Sequence, residues 1–577
     1  MAYDVQQTHK VSLPTWRRRV LLGLVLMGFG LLTFQGVYLQ STKREFLQQK
    51  GDNRYSRTLE LQADRGKIKD RNGEILAVNS PVNTVWVNPK TLEINKKQKR
   101  ALAKILKIKT KSFDKKVANK KRAFVYIKRR ISPDLARQVK SLEITGLHLR
   151  NEFKRFYPVG DVISHVVGFT GVDGDGQEGI ELIQNEKLSG LLGKRRVIKD
   201  RKGHIVEELE VIAEPRDGQD LILSIDHRIQ YYAFRELAKA VAKYKAKAAS
   251  AIVLDAKTGE VLAMVNLPTY NPNNPRNIRG KTRNRAITDI FEPGSTMKPI
   301  AAAAAMQFGG YAPTTRINTA PGYMRIGPAT IHDAHPNGVL TVAEVVKKSS
   351  NVGAAKMILS LDKKALWTTF NQLGFGTKTR IGFPGEARGK VRDYKTWRRI
   401  EQATMSYGHG ISVTLLQMAR AYTVFANNGK LKPVSLMRLD SVPDGSQVFS
   451  TKVANDVKDM LELVIQPGGT GIKAQVAGYR VAGKTGTAHK LGPNGYEKDK
   501  YVGSFVGLAP ASNPRFVMAV MIDEPTSGEY YGGTVAAPVF SVVMSEALRL
   551  LSVPHDAPNT NVVIPTLEAL EDVKEVV

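Results

Sequence analysis

The sequence predicts a multidomain protein of mixed α+β and α/β type, tethered by a single N-terminal transmembrane helix. Three observations predict it. The chain has 577 residues, enough for about three or four domains of ordinary size. Val20 to Leu39 is an apolar stretch with no charged residue. The C-terminal part alternates helix-like segments such as Thr414 to Phe425 with strand-like ones such as Tyr501 to Leu508 and Phe516 to Ile522.

The apolar stretch is long enough to cross a bilayer core. Arg17, Arg18 and Arg19 abut its start, so the positive-inside rule places the N-terminus in the cytoplasm and the chain after residue 40 outside. A cleaved signal peptide fits less well, because the stretch is too long and no A-x-A-like site follows it. Lys+Arg of 86 against Asp+Glu of 53 leaves a net charge of +33, which calls for a polyanionic neighbour. On the outer side nucleic acid is not an expected partner. The densest basic run, Lys96 to Arg130, is then either a solvated helix face or a surface for anionic lipid or wall polymer. No cysteine is present, which excludes disulfides, thiolate metal sites and a cysteine nucleophile.

Residues 40–60 are polar and read as a stalk. Asn72-Gly73 is a turn signal before a short strand, Ile75 to Val78. R-F-Y-P-V-G from Arg155 and G-Q-E-G-I-E from Gly176 to Glu181 carry no nucleophile or base geometry, and predict buried arginines and tight turns that join one domain to another. After Leu221 to Ile225, Asp226 to Tyr244 reads as a helix. Ser250 to Leu254 and Val261 to Val265 then flank the turn D-A-K-T-G-E as a hairpin.

The chemistry centres on Phe291 to Ile300, F-E-P-G-S-T-M-K-P-I. Ser295 and Lys298 are three apart, so in a helix the amine reaches the hydroxyl. Pro299 is tolerated only in a first turn, which puts Ser295 at a helix N-terminus, where the dipole and free N–H groups favour an oxyanion. Two other segments, Ser112/Lys115 and Ser360/Lys363, match S-x-x-K equally well, and neither has companions. Thr341 and Glu344 form a capping box for a helix that is expected to end in a loop, Lys348 to Gly353, presenting Ser349 and Asn351. Arg480 to His489 reads as a strand carrying Lys484, Thr485 and Thr487, with Gly486 expected to let a substrate backbone lie alongside. Lys257-Thr258-Gly259 is a second K-T-G, placed in the hairpin turn.

S-T-M-K, S-S-N and K-T-G-T, in that order, resemble the signature of penicillin-binding proteins and serine β-lactamases. R-G-K-I-K-D-R-N-G-E-I-L-A, R-F-Y-P and G-Q-E-G-I-E resemble the pedestal domain of class B penicillin-binding proteins, and S-S-N-V-G with K-T-G-T-A looks closest to their division-specific, septal group. That resemblance implies a cytoplasmic N-terminus over 1–19, a transmembrane helix over 20–39, a stalk over 40–60 and an elongated mixed pedestal of dimerisation type over 61–225. It further implies a penicillin-binding transpeptidase domain over 226–553, with a central antiparallel sheet flanked by helices and an all-helical subdomain, and a peripheral tail over 554–577.

The implied activity is D,D-transpeptidation of peptidoglycan stem peptides on Ser295. Lys298 is the implied base and Ser349 the proton relay, Asn351 orients Lys298 and the substrate amide, and Lys484 supplies positive charge. Thr485, Gly486 and Thr487 line the substrate strand. Tyr407, Tyr530 and Tyr531 resemble cleft aromatics, and the role of His409 is open. No cofactor or metal is expected. The implied partners are a D-Ala-D-Ala donor peptide, an amine acceptor, β-lactams, the membrane, a membrane-embedded glycan polymerase and divisome proteins, with the catalytic domain outside the cytoplasmic membrane at the septum. An elongation-type class B enzyme and a non-catalytic envelope scaffold or β-lactam sensor are the alternatives. A β-lactamase would need a deacylating E-x-x-L-N, and a class A enzyme a glycosyltransferase domain; neither is found.

Overall fold

The structure, a computed structural model, describes residues 14–46, 56–199, 205–274, 278–492 and 495–557. It divides into two compact units, Met1–Ala63 with Gly190–Asp217, and Asp64–Ser189 with Gly218–Val577.

In the first unit a single helix, Thr15–Ser41, contains the expected span and buries none of its residues. At about 1.5 Å per residue it exceeds a bilayer core of about 30 Å. The chain enters a strand at Ser56–Leu61, which pairs with Gly193–Lys199, which pairs with Ile205–Ala213. The last residues of the expected stalk are therefore sheet, and part of the expected pedestal clusters with them. Stalk residues 47–55, and the expected segments over 1–13 and 558–577, lie outside the described residues.

In the second unit the strand begun at Ile75 runs on to Val87, because Val82, Val85 and Val87 continue to bury their side chains past Pro81. It pairs with Val125–Ile131 and Leu147–Phe156. The basic run starts with helix Lys96–Leu106, closed by an Asn95/Gln98 capping box. Leu102, Ala103 and Leu106 are buried in it, and its lysines occupy the solvated side.

The motif arginines converge on one carboxylate. Arg65 Nε and Arg155 Nε each donate to Glu181 at 2.7 Å, and Arg155 also holds the Gly66 carbonyl at 2.7 Å. All three charged side chains are buried. Ile68, Leu76, Tyr157, Val166 and Ile180 share one apolar core with Ile252, Met297 and Ile300. Pedestal base and catalytic region thus fold as one body.

The helix expected from Asp226 runs from His227 to Tyr244, with Asp226 as its N-cap. The central sheet is antiparallel, built from β1 (Ala248–Asp255), β2 (Val261–Leu267), β3 (Ala482–Gly492), β4 (Gly495–Ala509) and β5 (Phe516–Asp523). Its spatial order is β2-β1-β5-β4-β3. Residues of β1 and β5 are buried throughout, as strands covered on both faces must be. Among the described residues three two-stranded ribbons interrupt the helical part between β2 and β3. The start of the expected peripheral tail is stitched down, since the Asp556 carboxylate accepts from the Arg480 and Ser512 amides at 2.7 and 3.0 Å.

Candidate active site

Ser295 lies in a 3-10 turn, Gly294–Met297, that leads into helix Lys298–Gly309, with Pro299 in its first turn. In 3-10 geometry residues three apart eclipse, and Lys298 Nζ lies 3.0 Å from Ser295 Oγ. The alanine run pulls this helix into the core, and Ala301 to Ala305 are all fully buried. Lys298 is therefore 1% exposed.

The capping box at Thr341 and Glu344 forms as expected. Its helix ends at Ser349, whose φ of 62° is left-handed, a strained conformation for a residue with a β-carbon. The expected loop is instead a junction of two helices. Ser350 caps a second helix through Gly353 N at 2.9 Å, and Asn351 is that helix's first residue. Asp333, which the sequence reading missed, holds the junction by accepting from Ser350 Oγ, Asn351 N and Val352 N at 2.6, 2.5 and 2.9 Å.

This junction aims Ser349 at both lysines. Its Oγ accepts from Lys298 Nζ at 3.0 Å and from Lys484 Nζ at 3.1 Å, and its carbonyl accepts from Lys298 at 2.5 Å. Lys484, on β3, is fully buried and also reaches the Thr485 carbonyl at 3.2 Å. Burial, reinforced by the charge of Lys484, holds the Lys298 ammonium well below its ordinary range. Burial alone pushes Lys484 down to about 7.

Asn351 lines the cleft, but its amide donates to the His332 carbonyl at 2.8 Å. No hydrogen bond joins it to Lys298 among the described residues. Gly486 is also required by packing. A β-carbon there would meet Ser504 Oγ at 2.5 Å and the Pro293 carbonyl at 2.8 Å. Its bareness lets β3 pack on the turn of Ser295. Thr485 is held by Thr470 Oγ1 at 2.7 Å, and Thr487 Oγ1 accepts from Gly532 N at 3.1 Å.

The cleft has a volume of about 710 Å³, and Ser295, Ser349, Asn351, Thr485 and Thr487 line it. Tyr530 and Tyr531 form one wall, extended by Tyr501 and His489, neither of which the sequence reading singled out. Tyr501 stacks on Tyr530 at 4.0 Å between centroids, and Tyr530 meets Tyr531 at 4.6 Å. Tyr407 is absent from this wall. It is buried with Ile331, Val352, Ala355 and Ala403, which pushes its hydroxyl up to about 12. His409 packs between Tyr407 and Tyr496, with centroids 5.4 and 5.9 Å away. Burial, with the charges of Lys298 and His489, lowers its imidazole to about 4.

The other matches to the same patterns lack this setting. Ser360 Oγ donates to the Met357 carbonyl at 2.7 Å and Lys363 Nζ to that of Trp397 at 2.5 Å. Ser112 and Lys115 sit on the pedestal helix Thr110–Val117, and Lys257 to Gly259 form the β1–β2 turn. Asp333 offered no sequence signal. Glu292, buried beside the turn of Ser295, stood inside the quoted motif.

Comparison with known proteins agrees with this geometry. Residues 249–545 match the penicillin binding protein transpeptidase domain and residues 60–223 the penicillin-binding protein dimerisation domain. The chain is 41% identical over 552 residues to a probable peptidoglycan D,D-transpeptidase PenA of Neisseria meningitidis, spanning 95% of this chain and 94% of that protein. It is 40% identical over 563 residues to the peptidoglycan D,D-transpeptidase FtsI of Escherichia coli K12, spanning 96% and 95%. Among solved structures, the apo transpeptidase domain of Burkholderia pseudomallei penicillin-binding protein 3 matches at 46% identity and a TM-score of 0.54, covering 58% of this chain and 98% of that one. A peptidoglycan synthetase of Bifidobacterium adolescentis covers 88% and 98% at 25% identity and a TM-score of 0.69. With a dimerisation domain ahead of a transpeptidase domain, and relatives matched over nearly their whole length, the chain belongs to the class B penicillin-binding proteins.

Proposed function

We propose that the chain is a serine D,D-transpeptidase that cross-links peptidoglycan stem peptides during septal wall synthesis. The observation that carries this is the unbroken contact path Ser295–Lys298–Ser349–Lys484. Lys298, held neutral, takes the Ser295 proton as Oγ bonds to the carbonyl carbon of the penultimate D-Ala. The N–H groups of Ser295 and Thr487 receive the oxyanion. On collapse the peptide C–N bond breaks, and the proton passes from Lys298 through Ser349 to the departing amine of D-Ala. Lys484, Thr485 and Thr487 hold the terminal carboxylate. The Asn351 amide is already given to His332, which leaves its carbonyl oxygen to accept from the substrate N–H. An amine of a neighbouring stem peptide then attacks the acyl-enzyme, passes its proton back along the same path and restores Ser295. β-Lactams acylate Ser295 by the same first step, and no cofactor is invoked.

The apolar helix Thr15–Ser41 anchors the chain by one pass, with the N-terminus inside and the catalytic region outside the cytoplasmic membrane. A membrane-embedded glycan polymerase and divisome proteins are its partners, engaged through anchor and pedestal. The reading is tested by labelling membranes with a fluorescent penicillin. Label is lost in Ser295→Ala and kept in Ser112→Ala and Ser360→Ala; label persisting in Ser295→Ala sinks it. Sidewall instead of septal localisation assigns the chain to elongation.

A further inference from the structure

We propose that Glu292 is a positioning residue that, with Tyr496, clamps the overhanging end of the β3–β4 hairpin to the turn carrying Ser295 and so fixes the K-T-G-T strand against the nucleophile. The inference rests on the reading of Ser295 as the acylated residue.

The hairpin needs such a clamp. β3 and β4 pair from Ala482/Leu508 out to Gly492/Gly495, whereas β5 pairs with β4 only from Val502 onward. Among the described residues the outer part between His489 and Tyr501 therefore has no third strand, and a two-stranded ribbon is marginal by itself. The ladder also slips between His489 and Leu491. At its base Lys490 is held by Asp523 at 2.8 Å. Further out, Tyr496 donates its hydroxyl to Glu292 Oε2 at 2.8 Å.

Glu292 is suited to hold it. Its other oxygen accepts from Gly410 N at 2.8 Å, and among the described residues it has no ion-pair partner although it is only 8% exposed. A buried carboxylate without a cation is costly to the fold, and burial raises its proton affinity accordingly. Both oxygens are spent on joining elements distant in sequence. The segment at Gly410 is itself locked to the nucleophile's turn, since a β-carbon on Gly408 would meet the Gly294 carbonyl at 2.3 Å. Three elements thus meet at Glu292: the turn three residues before Ser295, the Tyr407 to Gly410 segment, and the ribbon that continues β3. If the ribbon swings, Lys484 and Thr487 move relative to Ser295.

Stopped-flow acylation of the full-length, detergent-solubilised protein by a fluorescent penicillin separates binding from the chemical step. Tyr496 is about half exposed, so Tyr496→Phe removes one hydroxyl without disturbing a core. We expect its acylation rate constant to fall about tenfold, the scale of a small misplacement of reacting groups, with the dissociation constant and the fraction labelled at saturation unchanged. Glu292→Ala falls at least as far, and the double variant no further than Glu292→Ala. Glu292→Gln is expected to rescue, because its oxygen can accept from Gly410 and its amide can donate to the Tyr496 hydroxyl. An unchanged rate constant in Tyr496→Phe, or a loss confined to the labelled fraction, overturns the clamp. Absence of acylation at Ser295 in the unmodified protein overturns the nucleophile assignment instead.

Discussion

Lys484 Nζ donates to Ser349 Oγ at 3.1 Å although 135 residues separate them in the chain. Lys298 donates to the same oxygen at 3.0 Å, so two buried amines share one hydroxyl. In the mechanism we propose their roles are opposite: Lys298 is neutral to take a proton, and Lys484 is charged to hold a carboxylate.

The pH dependence of acylation follows from that opposition. Burial disfavours both ammonium ions, and at Lys298 the repulsion of Lys484 adds to burial while the Asp333 carboxylate opposes it; we expect Lys298 to lose its proton first as pH rises. The second-order acylation rate rises as Lys298 becomes neutral, then falls as pH passes about 7 and Lys484 in the free enzyme loses its charge. Lys484→Arg keeps the rising limb and lacks the falling one, at a rate lowered about 10- to 100-fold because a planar fork does not fit a point-charge site. A falling limb unchanged in Lys484→Arg shows that another group titrates there.

Gly486→Ala drives a methyl into Ser504, Pro293 and Thr296, with contacts of 2.5, 2.8 and 2.9 Å. One of these is a backbone carbonyl and the other two sit one bond beyond a β-carbon, so the strain is not relieved by a long side chain moving aside, and we expect a loss of about 1–3 kcal/mol in thermal unfolding. Penicillin acylation is expected to fall at least about 100-fold, as β3 is pushed off the turn of Ser295.

Asp333→Ala removes the acceptor for Ser350 Oγ and two amides. Ser349 and Asn351 lose their fixed orientation, and acylation should slow by about 10- to 100-fold while fluorescent penicillin still labels Ser295. Full activity in this variant would show that the helix junction is held without it.

Glu181→Ala leaves Arg65 and Arg155 buried with no counter-charge. Breaking such a network from one side costs about 3–5 kcal/mol, which differential scanning calorimetry would register as a lower Tm. Because pedestal base and catalytic region share one core, both should unfold in a single transition and not in two.

The site was legible in the sequence wherever geometry is local. Ser295 and Lys298 meet because residues three apart share a face, the Thr341/Glu344 box forms because its partners are one turn apart, and β1 and β2 pair across their short turn. The apolar span and the pedestal motifs were likewise visible as residue types in order. Even there, detail depended on surroundings: the expected loop at Ser349 became a helix junction because Asp333 supplies a cap from another segment.

By itself, then, the sequence determined the long apolar N-terminal helix, the order of the three motifs and which of three S-x-x-K pairs had companions. The tertiary structure alone decided that Ser349 Oγ lies between Lys298 and Lys484, that Gly486 must be bare to admit Pro293 and Ser504, that Tyr407 is packed away from the cleft, and that Glu292 reaches Tyr496 across 204 residues. The physical reason is range. Caps, turns and helix faces are set by neighbours within a turn or two, whereas the distance between side chains far apart in the chain depends on how whole layers pack, which no local pattern encodes.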